Sequence, residues 1–353
     1  MKFLNKAVAA ILAAALCIPA AGCSGGDKSW AVKDSSSEPV PIGAYIYNLY
    51  SAYGQADKKK ADSSKSVLDQ KIENKDAKTW IREKALTSTR ELLLFNKKMK
   101  DMNLTLTAAD TKNASDMNSQ VWGSYASTLE KYGIAQSSFE TAYGMALEKE
   151  RKIFDATYGK NGKRAVSDTE LKEYYTKNYT DFSYMACLLY KKKSDGSVDS
   201  VFTDAQKKSA EAVFDGYVSQ IKAGKMTVQQ AADAYKTAQK STTDVLQNDS
   251  INLATDANYP DAMKTALKSM KTGEVKALEL KDAQMYVLLS KGDVVKNADA
   301  KISSENSRES LLLSYKFEEF STAMEKEADA MTGVELNDKA LNSYDPKMFV
   351  SAS

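Results

Sequence analysis

The chain has 353 residues, 49 Lys and Arg, 47 Asp and Glu, three Cys and no His, for a formal charge of +2. Without histidine there is no Ser-His-Asp or Cys-His catalysis, no His-ligated zinc and no imidazole acid or base near neutral pH. The small net charge argues against a nucleic-acid partner, and 43% hydrophobic with 27% charged residues describes a globular chain of about two domains.

The first residues read as a targeting segment. Lys2 and Lys6 precede an apolar run from Ala7 to Ile18, too short to span a bilayer comfortably but suited to a signal-peptide core. Ala20-Ala21-Gly22 before Cys23 resembles the lipobox of bacterial lipoproteins, with Ala20 where Leu is commoner. The resemblance implies a signal peptide over 1–22, cleavage before Cys23 and lipidation of Cys23, whose several acyl chains would anchor the protein stably. The alternative is an ordinary secretory signal cut near Ala21, with Cys23 left as a free thiol. Loss of 1–22 removes Lys2, Lys6 and Cys17 and no acid, leaving 47 residues of each sign. With Cys23 lipidated, Cys187 stands alone and no intramolecular disulfide is possible.

Residues 23–41, rich in Ser, Gly, Asp and Lys and closed by Pro39 and Pro41, read as a flexible tether that contains Trp30. From 42 to 178 the period is helical. Ile42, Tyr45, Ile46, Leu49, Tyr50 and Tyr53 form one helix face, and Trp80 to Met99 mark a longer helix ending near Met102-Asn103. Thr107 with Asp110, and Ser167 with Glu170, have capping-box spacing. Glu140, Glu148, Glu150 and Asp155 are expected to solvate a surface.

Between 182 and 295 the pattern changes. Tyr184–Tyr190 reads as a buried strand, Lys191–Ser197 as a polar turn, and capping boxes at Thr203/Gln206 and Thr227/Gln230 open two helices. A strand is expected over Thr243–Leu246, a helix from Pro260-Asp261 to Met270, and a closing strand pair at Val275–Leu280 and Met285–Leu289. Residues 298–353 return to helix, with Leu312, Tyr315, Phe320, Met324 and Met331 on a stripe expected to pack on the amino-terminal helices. The expected class is α+β.

Several segments resemble the parvulin-type peptidyl-prolyl isomerases and the SurA/PrsA-like foldase lipoproteins. In the first part these are Pro41-Ile42-Gly43, the Trp80 helix, Leu104–Thr107, Tyr132-Gly133-Ile134 before Phe139-Glu140, and Ser167–Leu171 before Tyr174-Tyr175. In the second they are Ala186–Leu189, Lys222-Ala223-Gly224 with Ala231-Ala232 and Tyr235, Lys271-Thr272-Gly273-Glu274-Val275, and Ala283–Leu289. The resemblance implies a helical SurA-N-like chaperone domain formed by both ends of the chain, with an inserted parvulin-like α/β domain.

The departures from that pattern lie at the catalytic site. Cys187 and Tyr286 fall where parvulins carry histidines, and Ala238 falls near their acidic or Cys position. Thr243-Asp244-Val245-Leu246 replaces a Gly-Gly-Asp-Leu-Gly signature, and Tyr259 and Met263 replace the Met and Phe of the proline pocket. The parvulin domain therefore reads as degenerate. No catalytic residue is assigned, and Cys187, Leu246, Tyr259, Met263 and Tyr286 become a candidate peptide-binding surface.

The expected function is a membrane-anchored extracytoplasmic chaperone or foldase that binds unfolded or newly exported polypeptides. It would sit on the outer face of the cytoplasmic membrane, or on the periplasmic side in a two-membrane cell. The alternatives are a residual peptidyl-prolyl cis-trans isomerase and a structural lipoprotein docking one envelope partner. No cofactor, metal or nucleic acid is expected.

Overall fold

The computed structural model describes residues 30–35 and 37–350; residues 1–22, expected to be a signal peptide, and Cys23 lie outside the described residues. In chain order the elements are β1 (Trp30–Lys33), β2 (Val40–Pro41), α1 (Ile42–Lys59), β3 (Lys71–Ile72), β4 (Lys75–Asp76), α2 (Ala77–Asp101), α3 (Ala108–Lys131), α4 (Gln136–Ala142) and α5 (Gly144–Tyr158). Then follow α6 (Asp168–Asn178), β5 (Tyr179–Leu188), β6 (Tyr190–Lys192), β7 (Val198–Val201), α7 (Asp204–Lys222), α8 (Val228–Ala238), β8 (Gln247–Asn252), α9 (Asp261–Ser269), β9 (Val275–Leu280) and β10 (Met285–Lys291). The chain closes with α10 (Val294–Ser303), α11 (Glu305–Asp329), β11 (Glu335–Leu336) and α12 (Asp338–Leu341). This is an α+β chain in two compact units: 157–318 forms one, and the described residues before 157 and after 318 form the other. Set beside the expected division at 42–178, 182–295 and 298–353, α6 and the first half of α11 group with the inserted unit.

The helical unit is built on α1, which packs along α2 and across α4. Its buried stripe of Tyr45, Ile46, Leu49 and Ala52 meets Ile81, Ala85 and Phe139 in one core. Gly43 permits the α1–α4 approach, since a Cβ there would lie 2.5 Å from Ser138 Oγ. Asn48 on α1 donates to Thr89 Oγ1 on α2 at 3.0 Å, so this polar pair is satisfied inside the core. Much of the tyrosine content is interhelical packing. Tyr50 and Tyr132 meet the ring of Phe349 at 5.4 and 4.9 Å, and Tyr47 meets Phe139 edge-on at 5.1 Å.

The tether reading fails from Trp30 onward. β1 is the central strand of a three-stranded antiparallel sheet in the order β11-β1-β2, and Ala31 and Val32 are fully buried. Polar residues on either side mask the short apolar Trp-Ala-Val run in the sequence. Pro41 lies on β2, an edge strand, where its missing N–H removes no ladder bond. The last turns of α11 dock on α2 through charge. Lys98 meets Glu327 at 2.8 Å, Lys84 meets Glu325, and Thr87 donates to Asp329 at 2.7 Å.

The inserted unit centres on a four-stranded antiparallel sheet in the order β8-β5-β10-β9. Residues alternate strictly between its faces. Phe182, Val287 and Leu289 pack with Met263, Leu267 and Met270 of the α9 segment on one side. Met185, Tyr286 and Leu288 pack with Phe214 of α7 and Ala231 and Tyr235 of α8 on the other. The strand expected at Thr243–Leu246 forms instead at Gln247–Asn252, whose polar sequence carries no β signal and is held by pairing to β5. The polar segment after β5 folds back as a β6–β7 hairpin. Arg308 on α11, almost fully buried, ties this unit to its own first loop by donating to Asp168 Oδ1 and to the Val166 carbonyl, each at 2.8 Å.

Candidate functional site

The five residues expected to form one peptide-binding surface are divided between the two faces of the inserted sheet. Tyr259 and Met263 lie on the α9 face. Cys187, Leu246 and Tyr286 lie on the α7/α8 face. The reason is the period of two. Cys187 on β5 stands directly across from Tyr286 on β10, so both point the same way, while Tyr184 and Ala186 share the α9 face. A one-residue shift in matching a strand to a pattern moves a side chain to the opposite face.

Met263 is 2% exposed and is core. Tyr259 is half-buried beside it, with its ring edge-on to Phe182 at 5.3 Å and to Tyr184 at 6.1 Å. Its hydroxyl donates to Asp249 Oδ2 on β8 at 2.5 Å. Burial first, and the Asp249 carboxylate second, push the phenol well above its ordinary range, so it stays protonated. The phenol proton is thus already committed to Asp249, which leaves little to polarise an amide.

On the other face, Tyr286 is buried edge-on to Phe214 at 5.8 Å, and its hydroxyl reaches Asp215 Oδ1 at 3.4 Å. Burial, then Asp215 and Glu211, push Tyr286 up to about 12. Tyr235 is also pushed up, by burial first and then by Cys187. Tyr235 and Tyr286 beside Cys187 are thus protonated phenols, and neither is a base that would generate a thiolate.

The inserted unit also holds a polar cleft of about 410 Å³, bordered by Ser183, Asn248, Asn297, Lys301 and Ser307. The buried Asp181 at its edge accepts from Asn297 at 2.8 Å and from Tyr175.

A larger cleft, about 600 Å³, opens in the helical unit. Four separate stretches of chain build it: residues 37–41, then α2, α4 and α5. Leu92 and Phe95 of α2, with Val40 and Ala146, edge onto it from the buried core. Asn96, Lys97, Lys100 and Lys149 supply the polar margin. Ser37, Glu38, Asn96, Lys97, Lys100, Thr141 and Lys149, seven of the thirteen lining residues, are polar, so this is a mixed, open cleft. Sequence reading misses it because no single segment carries it. The available signal is the Leu92–Phe95 stripe running into Lys97, Lys98 and Lys100.

No protein-family profile matches the chain, and no curated protein is matched. Solved structures of three PrsA proteins share a distant likeness. The foldase protein PrsA of Streptococcus pneumoniae is 13% identical, with a TM-score of 0.41, over 74% of this chain and 88% of that one. The foldase protein PrsA of Lactococcus lactis is 14% identical, with a TM-score of 0.36, over 89% and 96%. PrsA of Bacillus subtilis is 16% identical, with a TM-score of 0.32, over 80% and 95%. Likenesses this distant assign no activity to the present chain. Among the described residues no helix is long and apolar enough to cross a membrane.

Proposed function

We propose that this protein is a polypeptide-binding folding factor of the cell envelope, held at the membrane by lipid on Cys23. It binds unfolded or newly exported chains weakly and broadly, and it slows their aggregation. The cleft of about 600 Å³ walled by four separate stretches of chain carries this reading, because it is roomy and mixed in polarity, with no catalytic constellation among the residues that line it. The inserted unit serves as a second contact surface, in place of an isomerase site. Prolyl isomerisation faces a barrier of about 18–20 kcal/mol, and catalysis needs groups that favour the twisted amide over the planar one. The absence of any histidine, the commitment of Tyr259 to Asp249 and the burial of Met263 all weigh against it.

The test is refolding of a client limited by proline isomerisation, using the chain from Ser24 onward, which retains every described residue. The rate constant and the aggregated fraction are followed together. An unchanged rate with less aggregation is the expected result. A raised rate that is lost in Tyr259→Phe would instead favour a residual isomerase at the Tyr259–Asp249 pair. Failure to suppress aggregation, with stoichiometric capture of one folded envelope protein, would favour a dedicated docking role.

A further inference from the structure

The helical unit's cleft carries an unanswered charge. Lys97, Lys100 and Lys149 line it against a single acid, Glu38. Lys97 is already paired with Asp101 one turn along its own helix, at 2.5 Å. Lys100 is exposed at the rim. Lys149, on α5, is half-buried, and its ammonium donates to the neutral amide oxygen of Asn96 at 2.6 Å. Burial lowers the Lys149 pKa, and no carboxylate among the described residues offsets that cost. A desolvated cation in this position is stabilised by an anion that completes a charge-assisted hydrogen bond.

We propose that this cleft selects extended polypeptide segments that carry an acidic side chain. The carboxylate bonds Lys149, and Lys100 draws the segment in from the rim by long-range attraction. The proposal rests on the polypeptide-binding reading of this same cleft and names its substrate class.

The test uses the chain from Ser24 onward and short, end-blocked, fluorescently labelled peptides. They share the same flanks and differ only in a central Glu, Gln or Lys. The Glu peptide is expected to bind about fivefold or more tightly than the Gln peptide, with the Lys peptide weakest. The preference should shrink as salt is raised. It should vanish in Lys149→Met and persist in Lys149→Arg, with unfolding midpoints confirming that both variants fold. Lys149→Gln gives the same reading if the Met variant does not fold. Equal affinity for Glu and Gln peptides, or a preference that survives Lys149→Met, overturns the selectivity while leaving polypeptide binding intact. Failure of every peptide to bind overturns both. Unblocked peptides that bind only through a free carboxyl terminus would also overturn it, by replacing the internal acid with a chain end.

Discussion

At the scale of single residues, the acidic run on α5 behaves unlike a solvated face. Glu148 is 4% exposed with one buried oxygen lacking a hydrogen-bond partner, and Glu150 is pushed up to about 7 by burial. Glu91 on α2 is also pushed up to about 7, chiefly by burial, with Glu325 and Glu150 adding repulsion against the pull of Lys84. An ordinary Glu titrates near 4.5. Between about 4.5 and 7 the folded chain therefore holds protons that the unfolded chain has released, so stability falls as pH rises through that window. Asp110 acts in the opposite sense. Lys152, then the Thr107 backbone, hold it down to about 2, so its contribution is present above 3.8 and is lost as pH falls towards 2. Glu150→Gln should flatten the slope above pH 4.5 and raise the melting temperature at alkaline pH, with little change near pH 4.5. Melting curves across pH measure this, and an unaltered slope would refute the burial of Glu150. Backbone contact makes Gly292 equally sensitive. A Cβ there would lie 2.9 Å from that of Asp181, so Gly292→Ala should cost about 1–3 kcal/mol in denaturant unfolding.

At the scale of elements, helix starts are the most legible feature of the sequence. The Thr107/Asp110, Ser167/Glu170, Thr203/Gln206 and Thr227/Gln230 pairs all form reciprocal capping boxes. Their chemistry is local, so spacing alone reveals it. Thr203→Ala and Thr227→Ala should each destabilise the inserted unit by about 1 kcal/mol, and the Ser variants should recover most of it. Urea unfolding read by labelling of Cys187 tests this; a loss within error would mean that the helix starts are held by packing alone. Strands are less legible. β9 begins and ends where its apolar residues predict, but β8 is a polar strand recruited by a neighbour. The parity of β5 is invisible too, because alignment to a motif says nothing about which face a residue occupies until the register is known. Motif matching therefore groups Cys187 and Tyr286 with Tyr259 and Met263, from which the sheet separates them. The Lys149 cleft is hidden for a different reason: its walls come from segments about 110 residues apart in sequence, and no periodicity links them.

At the scale of the whole molecule, the helical unit is discontinuous and the inserted unit is not. The inserted unit can gather its sheet from a single stretch, 157–318. The helical unit needs β1 to find β11, and the Asn337 side chain to donate to the Trp30 carbonyl 307 positions away. Non-local closure of this kind is slow because loop entropy must be lost before any contact offsets it. The chain carries its own reporters of the two events. Trp30, Trp80 and Trp122 all lie in the helical unit, and Cys187 lies in the inserted one. On refolding, protection of Cys187 from thiol reagents should precede recovery of native tryptophan fluorescence, and simultaneous recovery would contradict this order. A chain stopped before Glu335 should keep the Cys187 protection and lose the native tryptophan signal.

The pairing of β1 with β11 has a consequence for a protein threaded amino end first through a membrane pore, as the proposed signal peptide requires. Trp30–Lys33 would emerge early and wait for a partner strand that is still on the far side. During that interval its buried residues, Ala31 and Val32, are open to water beside an unpaired strand edge, the condition that invites aggregation. Newly delivered molecules would therefore need shelter of the same sort that finished ones are proposed to give. Copies already folded at the membrane should speed the maturation of later ones. A secretion assay with and without pre-folded protein would detect this as a rise in protease-resistant product, and equal yields would show that each copy matures unaided.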